Sequence, residues 1–216
     1  MEGLKNMREL KVIDFKKLIE YKEGLKLQKL YEEKSLNGKT DFLLLLEHYP
    51  VITIGKSGNS LNILFNEDAL KNKGVSVYHT DRGGDVTYHG PGQLVGYPIL
   101  NLRYYKKDVK WYVKSLEEIL IKTLNEYSIK AEMITKLIGV WVEERRKRAT
   151  IRFRLLKLVT YHGFALNVNN DLTPFSYIIP CGIKDVNITS MKEVLNKEID
   201  MKTLKKNIIK EFKSTL

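Results

Sequence analysis

DRGGDVTYHGPGQLVGYP, residues 81–98, sets five glycines, two prolines, an arginine and a histidine within eighteen positions. A chain uses glycine where the backbone must take positive φ or come close to another group. Clustered this densely, with two prolines to stiffen it, the stretch reads as a shaped loop that holds a ligand rather than as ordinary core.

The segments on either side supply the frame. Before it, KVIDF (11–15) reads as a short strand. Residues 15–34 carry apolar residues at helical spacing, with Gly24 as a weak point. DFLLLLEHYPVITIG (41–55) reads as two buried strands separated by Pro50. A short helix over 66–73 and a strand over 74–79 lead into the glycine-rich stretch. After it, Asp108 is an N-cap for a helix to about residue 127. Its apolar face is Val109, Tyr112, Val113, Leu116, Ile119, Leu120 and Leu124. Strand-like runs follow at 136–144, 149–159 and 160–168. A last helix opens at Asp200, with Met201, Leu204, Ile208 and Phe212 on one face. Helices and strands mix without a regular βαβ rhythm, so a mixed β-sheet flanked by helices is expected.

The chain has 216 residues, 43% of them hydrophobic and 29% charged, which suits one domain over 1–216 with a sizeable core. No apolar run reaches the length of a membrane span, and the N-terminus lacks a signal-peptide apolar region, so a cytoplasmic, membrane-free protein is expected. A single cysteine excludes an internal disulfide framework and a multi-cysteine zinc site. The formal charge of +11 fits nucleic acid, an anionic membrane or acidic protein partners, and does not choose among them.

Four features compete for a functional role. Gly55-Lys56-Ser57 looks like the end of a phosphate-binding loop, but such a loop needs a glycine where Pro50 stands, so no nucleotide site is expected there. The basic run of Arg145, Arg146, Lys147, Arg148, Arg152, Arg154 and Lys157 reads as a strand with a basic outer side and Ile151, Phe153 and Leu155 inward. With no nucleic-acid motif beside it, no nucleic-acid partner is expected. His89 and His162 sit in two Tyr-His-Gly triplets. They make a poor metal site and suit a substrate pocket. Cys181, flanked by Pro180 and Gly182, is either a small buried hydrophobe or a turn-borne nucleophile. As a nucleophile it needs a nearby cation or base. His89, His162 and several lysines are available, and spacing does not select one.

Arg82-Gly83-Gly84-Asp85-Val86-Thr87-Tyr88-His89, followed by Gly90-Pro91-Gly92-Gln93 and Tyr97, resembles the signature of the lipoyl(octanoyl) transferases. Further matches follow in order: Gly139-Val140-Trp141-Val142, Tyr161-His162-Gly163-Phe164-Ala165-Leu166-Asn167 and Pro180-Cys181-Gly182. The resemblance runs from about residue 10 to residue 191. It implies a biotin/lipoate protein ligase-like fold, α/β of the α+β type, in a monomeric cytoplasmic enzyme without cofactor or metal. It also implies a Cys/Lys dyad. Cys181 carries the acyl thioester, and the lysine falls 34 residues upstream, on Lys147.

On the same resemblance, the acyl chain lies along three stretches: Arg82, Gly83, Gly84, Asp85, Val86, Thr87, Tyr88 and His89; Thr150, Ile151 and Arg152; and Gly163, Phe164 and Ala165. The donor is octanoyl-acyl carrier protein. The acceptors are lipoyl domains of 2-oxoacid dehydrogenase E2 subunits and the glycine cleavage H protein. Both kinds of partner are acidic, which suits a basic chain. Transfer from thioester to amide runs downhill and needs no ATP, unlike the reaction of the ATP-dependent ligases that share the fold. One run departs from the family pattern: Arg148 and Arg152 stand where an apolar residue and a glycine are usual, and Arg152 is expected to restrict the acyl pocket.

Overall fold

The computed structural model describes residues 8–106, 108–134, 137–142, 147–156, 159–180 and 187–216; for 137 and 147–156 it describes the backbone alone. Its elements run β1 (Glu9–Ile19), α1 (Tyr21–Asn37), β2 (Thr40–His48), β3 (Val51–Ile54), α2 (Glu67–Asn72), β4 (Ser76–His79), β5 (Val86–His89) and β6 (Gln93–Ile99). There follow α3 (Val109–Asn125), β7 (Ala131–Ile134), β8 (Leu137–Val142), β9 (Lys147–Leu156), β10 (Val159–Asn167), β11 (Asn187–Ile188), α4 (Met191–Leu195) and α5 (Met201–Thr215).

The large sheet has the order β1-β2-β6-β10-β9-β8-β7, with β11 added on β9. β1 and β2 are parallel, while β2–β6, β6–β10 and β10–β9 are antiparallel, so the sheet is mixed as expected. A smaller sheet has the order β4-β3-β5.

The run DFLLLLEH is buried on both faces because strand side chains alternate. Leu43 and Leu45 join the core under α3 and α5, whereas Phe42, Leu44 and Leu46 join the core under α1. α3 opens as read: the Asp108 side chain accepts from Lys110 N at 2.9 Å, and the apolar face from Tyr112 to Leu124 is buried. Val109 is the exception and stays exposed. α5 opens on Asp200, which accepts from Lys202 N and Thr203 N, and buries Leu204, Ile208 and Phe212.

Two boundaries differ from the sequence reading. Phe15–Ile19 belong to β1, not to a helix, because the parallel ladder to β2 continues to Leu18↔Glu47 and Ile19↔His48. Those backbone pairings outweigh a helical spacing of apolar residues that a half-buried strand also satisfies. The stretch 81–98 is only partly loop: residues 86–89 and 93–99 are the buried strands β5 and β6. Among the described residues, no helix is long and apolar enough to cross a membrane.

Candidate active site

The glycine-rich loop is built by lacing two turns together. β3 gives way to Gly55, whose N–H donates to Asp85 O at 3.2 Å, and Lys56 N donates to Arg82 O at 2.9 Å. A Cβ on Gly55 would lie 2.1 Å from Gly84 O, so the two turns meet only because residue 55 has no side chain. This explains Gly55-Lys56-Ser57 without a phosphate: the turn is a support for the loop at 82–85.

Arg82 fixes that loop from inside. Its guanidinium donates to Thr53 Oγ1 at 3.0 and 2.9 Å, to Thr53 O at 2.6 Å and to Gly83 O at 3.0 Å, and the residue is 2% exposed. Asp85 turns the other way. Its carboxylate accepts from Asn59 N at 2.9 Å and from Asn62 Nδ2 at 2.5 Å. Asn62 O in turn accepts from Ile179 N at 2.8 Å, so the chain just before Pro180 is tied to the edge of the 82–85 loop.

A small pocket lies against β6 and β10, lined by Tyr21, Arg82, His89, Val95, Tyr97, His162, Gly163, Phe164 and Ala165. Six of the residues expected from sequence therefore meet in one place: Arg82, His89, His162, Gly163, Phe164 and Ala165. Val86 and Tyr88 instead pack with Phe175 in the core beneath the small sheet. Burial there pushes the Tyr88 hydroxyl up to about 12. Thr87 is buried in β5 and pairs with Thr53. Gly83, Gly84 and Asp85 shape the loop.

The backbone register completes the grouping. Gly163 pairs with Arg152, Phe164 with Ile151 and Ala165 with Thr150, so 150–152 lies directly beside 163–165. A Cβ on Gly163 would lie 2.0 Å from Gly96 O, and one on Gly96 would lie 2.3 Å from the Phe164 ring. These two glycines let β6 and β10 close on each other and seat Phe164.

The polar end of the pocket rests on groups that the sequence reading gave no role. His48 is fully buried; its Nδ1–H donates to Ile19 O at 2.7 Å and its Nε2 accepts from the Tyr97 hydroxyl at 2.6 Å. Burial lowers its pKa to about 4, which keeps the ring neutral, and burial likewise lifts Tyr97 well above the usual tyrosine value. The Tyr21 ring stacks on His89 with centroids 6.2 Å apart and tilts against His48 at 5.3 Å. Nothing near Tyr21 or His48 in sequence marks them, because β2 and the start of α1 meet β6 only through the sheet.

His162 holds φ +61° in mid-strand, an uncommon conformation for a residue with a side chain. Its N–H donates to buried Gln28 Oε1 at 2.6 Å, and its Nε2 lies 3.1 Å from Asp81 Oδ1. Asp81 and Tyr161 line an open outer groove with Leu25, Lys56, Tyr78, His79 and Thr80. The His162–Asp81 contact thus stands between inner pocket and outer groove.

Cys181 lies outside the described residues, and of Lys147 only the backbone is described. The backbone of Lys147 is nevertheless placed in the sheet. Lys147 pairs with Asn187 and Arg148 with Ile188 in the parallel β9–β11 ladder.

The lipoyl protein ligase A/B catalytic domain family matches residues 20–213. The chain is similar to the octanoyltransferase of Dictyoglomus turgidum, with 47% identity over 211 residues covering 95% of this chain and 89% of the relative. Among solved structures it resembles P. falciparum LipL1 in complex with lipoate, at TM-score 0.73 and 22% identity, across 96% of this chain and 62% of that one. It also resembles the bipartite lipoate protein ligase of Thermoplasma acidophilum, at TM-score 0.72 and 16% identity, across 96% and 83% of the two chains. These two likenesses bear on the fold alone, and they bear out the lipoate protein ligase-like architecture.

Proposed function

The chain belongs to the octanoyltransferases, acyl-transfer enzymes of the lipoyl protein ligase A/B catalytic domain family, and on that premise we propose that it moves an octanoyl group from acyl carrier protein, through a thioester on Cys181, to a lysine of a lipoyl domain. The observation that carries the site is where the flanks of Cys181 lie. Upstream, Ile179 is tied to Asn62, and Asn62 to Asp85 of the 82–85 loop. Downstream, Asn187, six positions after Cys181, is the register partner of Lys147. The described flanks of Cys181 are thus tied to the 82–85 loop on one side and to the backbone of Lys147 on the other.

In the proposed reaction Lys147 takes the Cys181 proton, and the thiolate attacks the octanoyl thioester. The carbonyl carbon–sulfur bond to the carrier breaks, and the departing thiolate regains a proton from Lys147. The acceptor amine then attacks the Cys181 thioester and gives one proton to Lys147. The amide forms, the Cys181 sulfur leaves, and Lys147 returns the proton to it. Backbone N–H groups of the glycine turns stabilise the oxyanion; one such donor is worth about 3–4 kcal/mol in other acyl-transfer enzymes. The energy of the thioester drives the transfer without ATP. The acceptors proposed are E2 lipoyl domains and the H protein, met by a cytoplasmic monomer.

Intact-protein mass after incubation with octanoyl-acyl carrier protein tests this. One octanoyl adduct, released by hydroxylamine, is expected on the wild type and none on Cys181→Ala. Lys147→Ala should acylate far more slowly than Lys136→Ala or Lys157→Ala. Transfer at the wild-type rate by Cys181→Ala, or a requirement for ATP, overturns the proposal.

A further inference from the structure

The outer groove beside the pocket has a basic bank. Leu25 of α1 lines the groove together with Tyr78 and Thr80 and with Tyr161 of β10. Two hydrogen bonds between elements hold these parts in place. The Tyr161 hydroxyl donates to Leu25 O at 2.9 Å, and the Tyr21 hydroxyl, at the start of α1, donates to Thr80 Oγ1 at 3.3 Å.

A helix turns about 100° per residue, so residues 22, 25, 26 and 29 share one face of α1. Lys22 and Lys29 therefore stand one turn to either side of Leu25, with Lys26 between them, and all three are exposed. Lys56, which also lines the groove, is exposed too. None of these four lysines makes an ion pair among the described residues. The carboxylates of α1 are placed off the row. Glu20 precedes the first turn, Glu23 lies about 100° round the helix from Lys22, and Glu32 and Glu33 follow a turn beyond Lys29. Asp81, in the groove itself, is in contact with His162.

Nothing within the helix favours the row. Lys22 stands in the first turn, where the helix dipole opposes a cation, and α1 has no side-chain cap to offset it. The three lysines also repel one another at spacings of three and four residues. α5 exposes Lys202, Lys206 and Lys213 as well, but there the Asp200 carboxylate caps the first turn. α5 covers the face of the sheet that carries Leu43 and Leu45, away from the pocket, so it shows what an ordinary solvated basic face looks like in this chain.

The complement of the α1 row is an acidic surface. Of the two acidic partners, the donor suits it. Its acyl group rides on a long phosphopantetheine arm, so the folded carrier rests away from the pocket, with a groove between to take the arm and a lysine on the groove wall to meet the arm's phosphate. The acceptor's lysine is short, and its domain has to come down at the pocket mouth.

We propose that Lys22, Lys26 and Lys29 form the docking face for the acidic acyl carrier, and that the carrier's arm enters along the outer groove past Lys56. The identity of the partner rests on the acyl-transfer reading above, but docking is measured without the reaction. The probe is an octanoyl carrier protein with an amide in place of the thioester, which binds and does not react. Its dissociation constant is measured on the wild type, on the triple variant Lys22→Glu, Lys26→Glu, Lys29→Glu, and on the triple variant Lys202→Glu, Lys206→Glu, Lys213→Glu, which removes the same charge from the opposite face.

The α1 variant should bind the carrier at least about tenfold more weakly, the scale of a few exposed charge pairs lost together, and the α5 variant less than about threefold more weakly. Affinity for an isolated lipoyl domain should stay close to the wild-type value in both. The neutral triple variant Lys22→Gln, Lys26→Gln, Lys29→Gln keeps a helix-compatible face and should show the same preference with a smaller loss. Lys56→Met should weaken binding of the armed carrier and not of the carrier stripped of its arm. Equal weakening by the α1 and α5 variants overturns the proposal, as does a wild type that does not bind the carrier, or a row whose reversal weakens the lipoyl domain and spares the carrier. An unchanged Lys56→Met overturns the path along the groove. A wild type that binds the carrier through the row and still forms no octanoyl-enzyme from the thioester overturns instead the acyl-transfer reading.

Discussion

His48 should make the stability of this protein fall as the solution is acidified from pH 7.5 to pH 5. The ring is fully buried, its Nδ1–H is bound to Ile19 O and its Nε2 holds the Tyr97 hydroxyl, so a second proton on the ring would displace Tyr97 and leave a buried charge. Burial lowers its pKa from 6.5 to about 4. Between those values the unfolded chain binds a proton that the folded chain refuses. The contribution is therefore complete above pH 6.5, declines as pH falls and is exhausted near pH 4. Over the full window it amounts to about 3 kcal/mol, and about 2 kcal/mol of that is gone by pH 5. That is a large share of the stability of an ordinary domain. Urea unfolding at a series of pH values reads it directly, as a midpoint that moves with little change in slope. His48→Gln can keep a donor toward Ile19 O and an acceptor toward Tyr97 while removing the titration. The variant should lose about 2 kcal/mol less than the wild type between pH 7.5 and pH 5, whatever the other histidines contribute to both. Equal losses in the two proteins would refute the argument that His48 is held neutral by burial.

Three other perturbations follow from the same geometry. Gly163→Ala puts a Cβ 2.0 Å from Gly96 O, so β6 and β10 must part. A loss of about 3 kcal/mol by denaturant unfolding is expected, and a loss under about 0.5 kcal/mol would contradict it. The formal charge of +11 and the acidic character expected of both partners make kcat/KM for octanoyl transfer fall between low and moderate ionic strength, and a flat profile would show the charge to be incidental. Arg152 pairs with Gly163 at the pocket-forming strands, so Arg152→Gly should speed octanoyl transfer or admit longer acyl chains. Slower transfer by that variant would mean that the arginine assists the reaction.

Local signals carried far in this chain, and they failed where sheet partners decide the outcome. The apolar run at 42–46 could only be a strand covered on both faces, and Asp108 and Asp200 opened their helices as their side chains dictate. Phe15–Ile19 misled because its apolar spacing satisfies a helix and a half-buried strand alike, and only the ladder to Glu47 and His48 settles it. The same holds for the site. Arg82, His89, His162, Gly163, Phe164 and Ala165 could be named from clustered glycines, Tyr-His-Gly triplets and a family signature. Tyr21 and His48 could not, since they come to the pocket on β2 and α1 with no motif around them. The lysines of α1 meet the same limit. The charge of +11 called for an anionic partner without saying where it rests. Helical spacing puts Lys22, Lys26 and Lys29 on one face of α1. That face borders a groove only because the Tyr161 hydroxyl holds Leu25 O and the Tyr21 hydroxyl reaches Thr80, contacts between elements that no spacing along the chain announces.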